Sequence, residues 1–438
     1  LLHKDDVPKP LAWRPGAAAG CAGGERAPLP AVDFEWPWEY AGGHVCAALR
    51  GLRGRDVLFV STYFGSELQM SYTLRALQVA RGLRRMLGVD ARACLSTCRA
   101  CCDRLELCDG RHRGACRVPA VIVHIKGLCE CAVAYYPKAR GVVHVLDPVD
   151  RYLTAPPLHM DDRSAAPYRE VAAVLAETSS AALEYRSHPS VVAFGWQVFH
   201  LPHAHSNLDR EASTCRDEAR VVGVHSTKMD PSLRGAIEQL LAQRFPGVRF
   251  EHIVPKVQPW RITAGLSPHA PGFPGEILQE TKAFDVTIAR PNCYERTSEE
   301  KGATALAWRA WLCERHHSGQ RLAHALAAGV PAVVWGAAQG HLDVLGPAAS
   351  TWPVAWSRAD VLDLLAGILA NRSLRCALAG EAPLLAEPFH LSRIVERYAI
   401  AFDHLLQRAA SGGGGKRAAH PHEDLPVVCR NLRNRVER

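Results

Sequence analysis

The stretch His317-Ser318-Gly319-Gln320-Arg321-Leu322-Ala323-His324 carries the residue types that grip an anion. Ser318 predicts an N-cap, its hydroxyl accepting from a free backbone N–H of the first helical turn. A helix starting there presents unpaired N–H groups and about half a positive charge, which suits a phosphate. Arg321, in the first turn, adds a rigid fork of donors, and His316 and His317 stand just before it. A second set could move protons. His124 and His144 lie in short apolar runs, and Asp147 and Asp150 follow the second run. If the runs are parallel strands, the aspartates sit at their C-terminal ends, where ligands bind in open α/β sheets. The same residues also fit core histidines with satisfied hydrogen bonds and a turn-forming Asp before Pro148. His200, His203 and His205 have a spacing that could hold a metal, but no carboxylate completes the set. Pro202 disfavours a helical face there, and the segment reads as a linker between lobes.

These residues need elements to position them. Leu322, Ala325 and Leu326 recur at helical spacing, Gly329 can close the helix, and Pro331 prevents its continuation. Ala332–Trp335 then reads as a short buried strand, and Gly336–His341 as a Gly-rich loop where a sugar or ribose could lie. Earlier in the chain, Asp56–Ser61 predicts a buried strand, Thr62–Ser66 a loop, and the following residues a helix ending at Leu87. Val89–Leu95, Ala120–Ile125 and Gly141–Leu146 predict further strands covered on both faces. The loop after the first strand lacks a GxGxxG fingerprint, which argues against a dinucleotide site. Val171–Leu183 predicts a helix and Val191–Gly195 a strand. A second series follows: strand from Arg220 to Val224, helix from Leu233 to Phe245, strand from Val248 to Ile253. After a long Pro- and Gly-rich loop, Lys282–Ala289 predicts a strand whose end carries Arg290 into the same cleft as Arg321. Helices are expected over Val361–Leu369, Leu374–Leu378 and Ile394–Leu406.

At 438 residues the chain is long enough for two or three domains. Its 52 basic and 44 acidic residues give a net charge of +8, which tolerates an anionic substrate but is too mild to point to nucleic acid. No apolar run is long enough to span a membrane. The chain begins at Leu1 without Met, which is compatible with an upstream targeting or anchor segment. Eight of the fifteen cysteines fall between Cys94 and Cys131. They read as a disulfide-stapled insertion, with a zinc knot and simple buried thiols as the other readings. The sequon Asn371-Arg372-Ser373 agrees with a lumenal chain, so the secretory pathway or Golgi lumen is the expected compartment.

The run Ser-Gly-Gln-Arg-Leu-Ala-His-Ala-Leu-Ala-Ala-Gly-Val-Pro-Ala-Val-Val, Ser318 to Val334, resembles the C-terminal-domain motif of nucleotide-sugar glycosyltransferases with the GT-B fold, of the family 1-like kind. The resemblance implies an α/β chain of two Rossmann-like doubly wound domains facing across a cleft, with the Cys-rich insertion 94–131 in the first. The division would be an N-terminal extension 1–50, an acceptor-side domain 51–208, and a nucleotide-sugar-binding domain 209–390. A bracing helix 391–410 and a flexible basic tail 411–438 would follow. The implied activity is sugar transfer from a nucleotide-activated donor, bound as substrate with no further cofactor and no metal. The acceptor would be a glycan, lipid or small molecule. Donor-binding residues would be Lys228, Arg290, Ser318, Gly319, Gln320, Arg321 and His324, with Lys228 where the family places a phosphate-binding cation. The acceptor would lie against Thr62, Gly65 and Ser66, with His124 or Asp147 as catalytic base. Where this family often has a Glu or Asn at the nucleotide the chain has His324, and where retaining members carry a Glu eight positions earlier it has His316. A non-catalytic carbohydrate- or nucleotide-binding protein on the same scaffold, or a nucleotide-sugar epimerase, are the alternatives.

Overall fold

The computed structural model describes residues 48, 51–61, 73–95, 118–149, 162–205, 214–226, 229–253, 281–290, 311 and 314–411. Their strands form two parallel sheets. The first contains β1 (Asp56–Ser61), β2 (Asp90–Leu95), β3 (Val121–Ile125), β4 (Val143–Asp147), β5 (Val171–Ala176) and β6 (Gln197–His200), in the order β2-β1-β3-β4-β5-β6. The second contains β7 (Val221–His225), β8 (Arg249–Ile253), β9 (Val286–Ala289), β10 (Ala332–Trp335) and β11 (Val354–Ala355), in the order β11-β10-β9-β7-β8. Every residue of β1, β3 and β4 is buried, as strands covered on both faces must be.

Helices cover those faces. In the first lobe α1 (Gln78–Leu87) continues a π-helical turn at Thr73–Leu77, and Gly88 closes it at φ 65°. It is followed by α2 (Glu130–Tyr135), α3 (Asp162–Arg169), α4 (Ser179–Ser187) and α5 (Pro189–Phe194). The second lobe has α6 (Pro231–Arg244), α7 (Gln320–Ala327), α8 (Gln339–Leu345), α9 (Arg358–Ala370) and α10 (Arg372–Ala386). The last helix, α11 (Leu391–Ser411), returns to the first lobe, where Leu391, Ile394, Val395, Tyr398, Phe402 and Leu405 join the core of β1 and α1. Gly82 of α1 makes room for it, because a Cβ there would lie 2.5 Å from Val395 Cγ1. The second core gathers β7, β9 and β10 with α6, α7, α9 and α10.

Two expected elements come out differently. Val171–Ala176 is strand β5, not the start of a helix, and the helix runs only over α4. Its side chains alternate: Ala173 and Leu175 enter one core, Val174 and Ala176 the other. That period of two, between β4 and β6, outweighs the helical preference of its alanines. Thr178 then caps α4 by accepting from Ala181 N. Val191–Phe194 belongs to helix α5, not to a strand. Pro189 supplies the first helical turn, His188 Nδ1 accepts from Ser190 N at 3.2 Å, and Gly195 closes it at φ 66°. Local punctuation thus wins over the β-branched pair Val191-Val192. The strand β9 is also shorter than expected, because Lys282 is helical and Ala283 a turn, and the strand begins only at Val286.

Residues 96–117 of the Cys-rich insertion lie outside the described residues. Its flanks carry the end of β2, all of β3 and the start of α2, and there Cys129 is a buried free thiol rather than half of a disulfide. The disulfide that is described joins Cys215, just before β7, to Cys376 in α10. No helix among the described residues is long and apolar enough to cross a membrane.

Candidate functional site

The C-terminal ends of both sheets converge on the segment leading into α7. From the first lobe come Thr178 and Ser179 after β5 and the buried chain 201–205 after β6. From the second come His225 at the end of β7, Arg290 after β9, and Trp335 at the end of β10. Thr178 Oγ1 donates to Arg315 O, and His203 Nδ1 lies 3.4 Å from Gln320 Oε1. The start of α7 therefore stands between the lobes.

The cap of that helix differs from the expectation. Gly319, not Ser318, occupies the N-cap position, with no side-chain hydrogen bond, and Ser318 is buried beside it. The reason is a backbone-to-backbone contact with α8. A Cβ on Gly319 would lie 2.0 Å from Gly340 O, and one on Gly340 would lie 2.3 Å from His317 O. Neither carbonyl can yield, so both positions require glycine. Of the expected Gly-rich loop Gly336–His341, Gly336 and Ala337 are a turn and α8 already begins at Gln339. The first N–H groups of α7 have no intrahelical acceptor, and Ala323 N is the first to find one, Gly319 O at 3.0 Å. Gly329 takes φ 74° just beyond the helix.

Arg321 lies among histidines. Burial holds His225, His324 and His341 at about 3, and the Arg321 charge adds to the push in each case. His252 adds to it at His225, His225 and His203 at His324, and His317 at His341. All three are neutral at pH 7. Arg290 stacks its guanidinium 5.0 Å from the Trp335 ring centre and lies 3.8 Å from Asp230 Oδ2. Gln320 turns its amide toward the first lobe rather than toward the helix axis. Lys228, Thr62, Gly65, Ser66 and Asp150 lie outside the described residues.

His124 and Asp147, the expected bases, are both used up inside the first lobe. Cys129 N donates to His124 Nδ1 at 3.0 Å. His144 Nε2 must donate to the Tyr136 carbonyl, 2.6 Å away. The remaining contact, 2.9 Å between His124 Nε2 and His144 Nδ1, then has His124 as donor. Both rings are fully committed in their neutral forms, and burial lowers both away from the ordinary imidazole value. Asp147 receives Arg75 Nε at 2.7 Å, and Arg75 Nη1 donates to Leu201 O at 2.6 Å. Arg75 and Asp147 are fully buried, so the pair ties the π-turn to the chain beyond β6. Both His124 and Asp147 are buried and engaged with partners of their own lobe.

The structure brings forward a pair that the sequence did not single out. Glu177, at the end of β5, is buried with its Oε1 3.5 Å from His203 Nε2. His203 thus joins a first-lobe carboxylate to Gln320 of α7. Glu177 was hidden inside an expected helix, and His203 inside an expected linker. The three linker histidines diverge: His200 toward Asp343, His203 toward Glu177, and His205 against the His390 ring at 5.4 Å. Among the described residues no group of three His, Cys, Asp or Glu could hold a metal ion.

No protein-family profile matches the chain, and no curated protein matches it. Solved structures similar to it include TarM of S. aureus, in complex with fondaparinux, alpha-GlcNAc-glycerol and UDP, at 13% identity and a TM-score of 0.40. That match covers 64% of this chain and 55% of TarM, so the chain spans about half of that protein's length. HepE of Anabaena, in complex with UDP and glucose, matches at 11% identity and a TM-score of 0.44, over 82% of this chain and 100% of HepE. The O-GlcNAc transferase of Thermobaculum terrenum matches at 14% identity and a TM-score of 0.45, over 88% of this chain and 72% of the transferase.

Proposed function

We propose that the chain is a glycosyltransferase of GT-B type that moves a sugar from a nucleotide-activated donor to a glycan, lipid or small-molecule acceptor. The observation that carries this reading is the N-terminus of α7, standing between the strand ends of two parallel sheets, with Arg321 set among three neutral histidines. Sugar transfer releases a nucleoside diphosphate, and its negative charge grows as the glycosidic bond breaks. The amides of a helix start, a guanidinium fork and the nearby Arg290 are donors suited to the place where that charge develops. They offset the charge without calling on a metal. Removing one such preorganised donor typically costs about 2.7–4 kcal/mol of barrier. The neutral rings of His225, His324 and His341 can hydrogen-bond the phosphates or ribose without adding fixed charge. Of the acid–base groups described, Glu177 with His203 is the pair that reaches α7 from the first lobe, and it replaces His124 and Asp147 as the candidate for acceptor activation. The Cys215–Cys376 disulfide supports an oxidising compartment such as the secretory pathway or Golgi lumen.

Calorimetric titration with UDP, GDP and ADP tests the assignment. One of them should bind, and Arg321→Ala should weaken it at least about tenfold, since a hydrogen bond to a charged group is worth about 1.5–3 kcal/mol. Unchanged affinity in the variant removes the assignment. A binding protein without turnover is the second reading, favoured by His316 and His324 standing where carboxylates are expected. Binding without hydrolysis or transfer across a panel of nucleotide sugars would select it.

A further inference from the structure

The segment that leads into α7 is held from the opposite lobe. Helix α4 of the first lobe meets it with a set of polar contacts. Glu184 Oε2 accepts from His316 Nε2 at 2.7 Å, and Glu184 Oε1 accepts from Arg315 Nη1 at 3.1 Å. Ser180 Oγ donates to Arg315 O at 2.7 Å, beside the Thr178 contact already described. In the reverse direction, Asp343 of α8 reaches the first turn of α4. It accepts from Ser179 N at 2.7 Å and from Ser179 Oγ at 2.6 Å. A carboxylate at a helix N-terminus meets the positive end of the helix dipole. Gln339 Nε2 donates to Asp343 Oδ1 at 2.8 Å and steadies the same carboxylate.

We infer that Glu184 and Asp343 are positioning residues: acting across the cleft through His316 and through α4, they hold residues 315–321 in the shape that binds the diphosphate. This rests on the reading of α7 as the donor site. The path from contact to site is short. Arg315 and His316 immediately precede His317-Ser318-Gly319, whose backbone is pressed against Gly340 at the start of α8. Asp343 lies on that same helix, so both sides of the anion-binding turn are anchored to one first-lobe helix. The His316 ring is buried between Tyr185, at 5.6 Å, and Trp311, at 4.9 Å. Glu184, accepting from Nε2 of this buried ring, helps to set its orientation.

The test uses the full chain with Glu184→Ala, Glu184→Gln and Ser180→Ala. Glutamine keeps an oxygen that accepts from a neutral His316, so it is the conservative rescue. Two readouts are taken: hydrogen–deuterium exchange of peptides covering 314–324, and calorimetric affinity for UDP, GDP and ADP. Glu184→Ala should raise exchange in 314–324 at least tenfold and weaken nucleotide binding about tenfold. Glu184→Gln should stay within threefold of wild type in both, and Ser180→Ala should fall between. Unchanged exchange in Glu184→Ala, or raised exchange with unchanged affinity, overturns the inference. If Glu184→Ala does not fold, Ser180→Ala decides by the same two readouts. A wild-type chain that binds none of the nucleotides overturns the donor-site reading instead, and the exchange data still decide whether Glu184 holds the loop.

Discussion

Acid should loosen the second lobe in a way that His324 makes measurable. Its folded-state value is about 3, against 6.5 for the free side chain, because the ring is buried beside His225, His203 and Arg321. Between those two values the unfolded chain binds a proton that the folded chain refuses. Stability is therefore full above pH 6.5, falls as pH drops from 6.5 toward 3, and levels off below 3. The slope approaches about 1.4 kcal/mol per pH unit for one such group. From pH 7.5 to 5.5 His324 alone costs about 1 kcal/mol, and over the whole window about 5 kcal/mol. His225 and His341 share the same window, so the three together remove about three times as much by pH 5.5. One kcal/mol lowers Tm by about 2–4 °C for a unit of 150–250 residues. The assay is circular-dichroism melting of wild type and His324→Gln at pH 7.5, 6.5 and 5.5. Glutamine shifts all three midpoints by whatever its packing costs, but it cannot titrate. The wild-type minus variant difference should shrink by about 2–4 °C between pH 7.5 and 5.5. A difference independent of pH would refute the claim that this ring is held neutral by burial.

Other substitutions separate packing from chemistry. Arg75→Met strands Asp147 as a buried, unpaired charge and should cost about 3–5 kcal/mol in denaturant unfolding; a loss under 1 kcal/mol would mean the pair is not buried as described. His144→Phe leaves His124 Nε2 and the Tyr136 carbonyl without partners and should cost about 1–3 kcal/mol of stability for each. Transfer rate per folded molecule should stay near wild type, and a selective fall in kcat would return His124 to the catalytic machinery. Gly340→Ala places a methyl against His317 O and Gly319 N, so nucleotide binding should fall together with about 1–3 kcal/mol of stability. Retained affinity in that variant would show that the turn into α7 does not need the close backbone contact.

Much of the fold could be read because parallel strands advertise themselves. Asp56–Ser61, Val121–Ile125, Val143–Asp147 and Val221–His225 are short apolar runs bounded by turns, and all form strands. Gly329 and Pro331 likewise mark the end of α7 without help from the rest of the chain. The two failures have different causes. Nothing in Val171–Ala176 tells a helix from a strand until β4 and β6 are placed beside β5, whereas Val191–Phe194 is fixed as a helix by its own flanks, Pro189 and Gly195. The capping of α4 by Thr178 and of α5 by His188 and Pro189 was available locally, but the apolar pattern drowned it. The Cys215–Cys376 bridge links residues 161 positions apart, and no spacing rule reaches that far.

The site shows the same division. A helix start with an arginine is a local signal, and Arg321 does lie where the strand ends meet. The fate of His124 and Asp147 was decided by partners 20 and 72 residues away, His144 and Arg75. A strand-end aspartate facing a substrate and one locked to an arginine have the same sequence. The difference matters for how the cleft can work. With the first-lobe aspartate neutralised by Arg75, and with His225, His324 and His341 uncharged, the rings can share hydrogen bonds with an anion without competing for its charge. Arg290 already divides its charge between the Trp335 face and Asp230, which also holds Arg358 at 3.0 Å. In the proposed donor site the pull on a diphosphate comes from Arg321 and the start of α7. Both depend on a turn whose outer anchors, Glu184 and Ser179, belong to the other lobe. With the donor site as proposed, affinity for the donor and the closeness of the two lobes become one property of this cleft, and a change in α4 should be felt at a phosphate it never touches.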